Sequence, residues 1–127
     1  MIEALFNQPN YVAAKKLLDV TTLRHEAIAS NIANVTTPHY KRLDVAPAFA
    51  TELRQALHTG EPARLAELRP RLGVDATAVA MRKDGNTVDL EKEMMQLTQN
   101  YLENQVEQQL ITGSMLKLRL AITGRPS

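Results

Sequence analysis

The chain contains no cysteine and no tryptophan. The first absence excludes disulfides, thiolate metal sites and cysteine nucleophiles. Aromatic residues make up only 4% of the 127 residues, two Phe and three Tyr. A core must therefore be built from Leu, Ile, Val, Met and Ala, which suit long packed helices. Charge of one sign is lacking too: 15 Lys and Arg face 14 Asp and Glu, for a net charge of +1. These charges are spread evenly, so no segment forms the basic patch that nucleic acid binding needs. No apolar run approaches the roughly 20 residues that cross a bilayer. Residues 1–10 lack the basic region and long apolar stretch of a cleaved secretion signal. By themselves these absences point to the cytoplasm.

Chemistry-bearing constellations are equally scarce. His25, His39 and His58 are the only histidines, and no pair has the i, i+4 spacing of a helical zinc site. Ser30 and Ser114 lie in helical patterns with no nucleophile elbow. Glu91 and Glu93 stand two apart on a helix and diverge. There is no glycine-rich phosphate loop. Asp84-Gly85-Asn86 lacks the spaced acidic ligands and closing Glu of a calcium loop and reads as a plain turn. No catalytic set, cofactor or metal site is expected, and a small enzyme has no support.

What the chain does have is periodicity. After a short lead, Pro9 suits the first turn of a helix. From there Tyr11, Ala14, Leu18, Thr21, His25, Ile28, Ile32 and Val35 follow a spacing of three and four. Thr37-Pro38 disfavours further helix, so the stripe must end near Thr36. A second stripe runs through Leu90, Met94, Leu97, Tyr101, Asn104, Gln108, Ile111, Met115, Leu118 and Ile122. Acidic residues open it and Lys117, Arg119 and Arg125 close it, which complements the helix dipole. The spacing predicts helices over 9–36 and 88–123 packed antiparallel as a coiled-coil-like hairpin. Its expected intrachain seam is Leu18, Ile28, Ile32 and Val35 against Leu90, Met94, Leu97, Tyr101, Ile111, Met115, Leu118 and Ile122. One register sets His25 near Asn104 and Thr21 near Gln108, either as a central polar layer or facing solvent.

Both helices are apolar on a second side. Leu17, Val20, Leu23 and Ala27 lie off the first stripe, and Leu102, Val106, Leu110, Leu116 and Leu120 lie off the second. A helix apolar on two sides must be buried on two sides. With one other long helix in the chain, neighbouring chains are expected to cover these faces. The fold class is thus mainly α. The terminal segments 1–38 and 88–127 form a helical assembly domain around a partly irregular middle, 39–87. There Phe49, Leu53, Ala56 and Leu57 predict a short helix ending at Gly60, and Ala78–Met81 suggests a short strand.

Two segments carry a resemblance. Ser30-Asn31-Ile32-Ala33-Asn34-Val35-Thr36-Thr37-Pro38-His39-Tyr40-Lys41 resembles the signature of flagellar rod and hook proteins, roughly SNIANxxTPGYK. Arg82-Lys83-Asp84-Gly85-Asn86-Thr87-Val88-Asp89-Leu90-Glu91-Lys92-Glu93-Met94 looks like a second segment of rod members of that family. The likeness covers both terminal thirds. One departure is His39, where the family usually has Gly, a residue that adopts positive φ freely.

The resemblance implies a structural subunit of the proximal rod in a bacterial flagellar basal body. Such subunits span the periplasm and leave the cytoplasm by the flagellar type III export apparatus without a cleaved signal. It also implies partners: other rod subunits, a FliE-type adaptor, the inner-membrane ring and the export gate. The lead residues Ile2, Leu5 and Phe6 are the expected export element. The competing reading is a small helical export chaperone or adaptor. That protein would be stably folded alone, whereas a rod subunit would order on assembly.

Overall fold

A computed structural model describes the backbone of residues 9–124, and their side chains except at residues 9, 10, 118 and 121–123. Ile2, Leu5, Phe6 and the side chains of Leu118 and Ile122 lie outside that description. The elements run α1 (Pro9–Ala33), β1 (Leu43–Val45), α2 (Ala48–Thr59), α3 (Pro62–Glu67), β2 (Leu72–Val74) and α4 (Leu90–Thr123). The two long helices pack on each other, as the two stripes predict, and the middle is small and irregular.

Local chemistry sets the ends of these elements. The Asp89 carboxylate accepts from the backbone N–H groups of Glu91 and Lys92 and so caps α4, whose first turn carries Glu91 and Glu93. Gly60 and Gly124 close α2 and α4 in the left-handed conformation, each returning its N–H to the carbonyl four residues back. The α1 helix stops at Ala33, ahead of Pro38.

The apolar core lies between α1 and the middle segment. Phe49, Leu53 and Ala56 recur on one face of α2 and meet Leu65 of α3, with Val12, Val20 and Leu68 packed against them. Burying each large side chain contributes roughly 1.5–3 kcal/mol. Lys16 joins the same contact by donating to Ala66 O at 3.1 Å. Burial, with help from the Arg69 charge, lowers its pKa. β1 and β2 pair antiparallel, Leu43 opposite Val74 and Val45 opposite Leu72.

Three expectations are corrected. Ala78–Met81 is not a strand. Asp75 instead starts a turn, its carboxylate accepting from Thr77 N and Oγ1, and the chain beyond runs out exposed. Second, the outer face of α1 is not left wholly to other chains. Val20 packs on the core cluster and Ala27 is buried, because the middle segment folds back over the helix.

The third correction concerns the seam. Leu90, Met94, Tyr101 and Met115 are exposed, while Glu93 and Asn100 are buried. The residues of α4 turned toward α1 are Glu93, Leu97, Asn100, Asn104, Glu107, Ile111 and Ser114. These also follow steps of four and three. Leu97, Asn104 and Ile111 belong to both sets, so the helix is rotated by part of a turn from the apolar register. The cause is polar: Arg42, Asn31 and Thr21 bind Glu93, Asn100, Asn104 and Glu107, and these bonds outweigh the apolar stripe.

Candidate functional site

The segments 30–41 and 82–94 meet at the end of the helix pair. Asn31, wholly buried, has its full hydrogen-bonding capacity used. Its Nδ2 donates to Leu43 O at 2.9 Å and to Glu93 Oε2 at 3.2 Å. Its Oδ1 accepts from Leu43 N at 2.9 Å and from the Tyr40 hydroxyl at 3.2 Å. The Tyr40 hydroxyl also shares a hydrogen bond with Ser30 Oγ at 2.9 Å. Asn34 donates to Ser30 O and accepts from Thr37 Oγ1, closing the turn after α1.

From the other side, the Asn86 amide donates to the carbonyls of Asn34, Val35 and Thr37 at 2.8, 3.2 and 2.8 Å. These carbonyls belong to the turn that follows α1, where those of Asn34 and Thr37 also accept from Thr37 N and Tyr40 N, so a side chain distant in sequence pins that turn. Arg82 adds a bond to Val35 O. Lys41 Nζ donates to Gly85 O at 3.3 Å, and Thr87 N to Tyr40 O at 3.1 Å. Val88 is buried, and its N–H donates to Asn86 Oδ1.

His39 occupies positive φ, 60°, and its N–H donates to Asp84 O. Gly85 lies beside it at φ 76°, where an added Cβ would stand 2.8 Å from His39 Nδ1. The turn 84–86 thus serves as the dock for the chain leaving α1.

Arg42 stands behind this junction, almost fully buried. It donates to Glu93 and Gln96 of α4, to Asp75 at 2.8 Å and to Asp44 at 3.3 Å. Burial would lower its pKa, but the Glu93 hydrogen bond and charge, then Asp44, outweigh that and raise it. Bonds from Thr77, opposed in part by burial and aided by Arg42, hold Asp75 below its ordinary range. Further along the seam Asn100 donates to Thr21 O at 2.8 Å, and Asn104 to Thr21 Oγ1 at 2.9 Å. Thr21 Oγ1 also bonds Glu107 at 3.2 Å. A central polar layer exists, but Thr21 meets Asn104 rather than Gln108, and His25 is exposed. The four-residue slip is about one helical turn.

The apolar residues of α4 point elsewhere. At about 100° per residue, Leu90, Met94, Tyr101 and Met115 share one stripe. Met95, Leu102, Val106, Leu116 and Leu120 share another roughly a third of a turn away, with Leu110 at its edge. All are exposed, Leu102 at 59% and Val106 at 58%. On α1, Leu17 is exposed, Leu18, Leu23 and Ile32 are half-buried, and Ile28 is buried; Val35, in the turn after the helix, is half-buried. Among the described residues, no three His, Asp or Glu side chains gather as a metal site. No described helix is long and apolar enough to cross a membrane.

No protein-family model matches the chain. Individual proteins do. It is 35% identical over 109 residues to the flagellar basal body rod protein FlgB of Cereibacter sphaeroides, covering 80% of this chain and 84% of that protein. It is 33% identical over 107 residues to FlgB of Borrelia hermsii, covering 70% and 77%. The chain belongs to the FlgB family. FlgB of Escherichia coli K12, 28% identical over 122 residues, covers 80% of this chain and 83% of its own length. Membership in the FlgB family makes the chain a structural component of the flagellar basal body rod. Sequence reasoning singled out the two segments that meet at this junction. It missed Arg42, Asp75, Asn100 and Glu107, since buried and half-buried polar residues leave no apolar periodicity; the signals were Arg42 directly following the first segment and Glu93 lying within the second.

Proposed function

We propose that this chain polymerises through its terminal segments, 1–38 and 88–127, into the proximal rod. The rod is a hollow shaft that transmits torque and passes later subunits outward. The observation that carries the reading is the arrangement of α4: hydrogen-bonding residues face its own α1, and two apolar stripes face out. An exposed apolar surface of this extent marks an interaction site. The inter-subunit face is Leu17, Leu23, Leu102, Val106, Leu110, Leu116 and Leu120, extended by the exposed Leu90, Met94, Tyr101 and Met115. Val20 belongs to the chain's own core.

The role is mechanical and not enzymatic. Its partners are further rod subunits, a FliE-type adaptor, the inner-membrane ring and the export gate in transit. The chain reaches the periplasm by type III export, with Ile2, Leu5 and Phe6 in the export element. Secretion at normal levels by a chain lacking residues 2–6 would rule that element out.

Val106→Asp tests assembly, because it puts a charge into the proposed contact and leaves the seam untouched. Motility and incorporation into basal bodies should be lost while the protein is still exported. Full motility would show that this face is not an interface.

A further inference from the structure

The two edges of the small sheet are treated differently. In an antiparallel pair, alternate residues turn their N–H and C=O groups away from the partner strand. On β1 such a residue is Leu43, and Asn31 satisfies both of its groups. The N–H of Val45, the other outward residue, goes to Asp44 Oδ1 at 2.7 Å. On β2 the flanking bonds Ala46 N to Arg71 O and Asp75 N to Arg42 O leave Leu72 and Val74 facing outward. Among the described residues nothing donates to or accepts from those outward groups. Val74 is 63% exposed.

The same chain holds a segment suited to that edge. Residues 79–81 run on from the Asp75 turn, where Ala78 N bonds Asp75 O, and among the described residues their own backbone groups have no hydrogen bond. Val79 and Met81, alternate residues, are 75% and 78% exposed. The segment cannot fold back as a hairpin on its own β2. The Asp75 turn leads it away, and Arg82 anchors the following residue to Val35 O. An unpaired edge and an unpaired strand-like segment on different parts of one chain complement each other between copies.

We infer that the open edge of β2 in one subunit takes residues 79–81 of a second copy as an added strand. Two different patches make a head-to-tail contact, and such contacts repeat without closing into a dimer. The inference rests on the rod reading and gives the polymer a link separate from the α4 stripes.

The absence of cysteine makes the test clean. Val74→Cys is combined with Val79→Cys, and separately with Met81→Cys, to cover both strand directions. Opposed residues in a hydrogen-bonded pair lie about 5.5 Å apart, inside the disulfide range of about 4.4–6.8 Å. Oxidation of isolated basal bodies should give crosslinked multimers larger than a dimer in one of these double variants, and none in the single variants. Adding Leu72→Pro, which removes one outward N–H, should abolish the multimers, whereas Leu72→Val keeps them. Circular dichroism of the purified proline variant should show unchanged helix content. A double variant present in basal bodies that yields no crosslink, or dimers alone, overturns the strand link and leaves the rod reading intact. Absence of the chain from basal bodies overturns both.

Discussion

Asn31 and Leu43 face each other as residues of adjacent strands do, although one partner is a side chain. The carboxamide donates to the Leu43 carbonyl and accepts from its N–H, both at 2.9 Å. One residue of α1 thereby fixes the position of β1 and, through Glu93, of α4.

Asn31→Leu is expected to destabilise the fold strongly. Each buried polar group left without a partner costs about 1–3 kcal/mol, and Leu43 N, Leu43 O and the Glu93 carboxylate all lose one. Asn31→Asp should be no better, because its oxygens cannot donate to Leu43 O and add charge beside Glu93. Thermal unfolding checks both; wild-type stability of the leucine variant would remove the residue's claimed role.

His39→Gly should stabilise the chain. A non-glycine residue in left-handed backbone costs roughly 1–2 kcal/mol, offset in part by the greater freedom glycine has when unfolded. Gly85→Ala should destabilise, both through φ 76° and through the 2.8 Å approach to the His39 imidazole. In the His39→Gly background the second cost disappears and the first remains, so the alanine penalty should shrink. Chemical denaturation of the four proteins measures that coupling.

Removing Arg42 should cost more than any exposed ion pair. Breaking a buried pair from one side costs about 3–5 kcal/mol, because the other charge stays behind. Arg42→Met should fall in that range, and adding Glu93→Gln should restore part of it by neutralising the stranded carboxylate. If the second substitution makes matters worse, Glu93 has another partner that matters more.

Two carboxylates should give opposite pH effects. Burial and the nearby Glu103 charge raise Glu107 above its ordinary 4.5, against the Thr21 bond and Arg24. Its cost to stability is absent below 4.5 and appears as pH rises through the raised folded value. Glu107→Gln should therefore stabilise at neutral pH and make little difference under acid. Asp75 is lowered from 3.8, so its contribution is present above 3.8 and lost as pH falls through the lowered folded value. Asp75→Asn should destabilise at neutral pH, with the deficit shrinking in acid. Urea titrations at about pH 3 and 7 decide both signs, which follow from the linkage of protonation to folding.

The long helices, the α2 helix and its Gly60 stop were legible because apolar spacing and capping residues act locally. The rotation of α4 was not. Its stripe through Leu90, Met94 and Tyr101 is the more apolar, and spacing alone selects the most apolar face as the inner one. That inference fails where the free energy of one contact comes from directed polar bonds and the apolar face is left for another molecule. The strands were missed because three residues such as Leu43–Val45 are too few to show alternation. Their partner, the Asn31 side chain, comes from a helix.

The contact between α1 and α4 has a mechanical meaning. A seam of leucines is slippery along its length: one side chain exchanges for the next at little loss, since dispersion contacts have no direction. Bonds such as Asn100 to Thr21 O and Asn31 to Glu93 point one way and stretch when the helices shear. In the torque-bearing rod proposed above, load along each helix pair would act as such a shear. These hydrogen bonds would then work as keys in a keyway, stiff against twist, while the outward apolar stripes would let neighbouring subunits seat against one another.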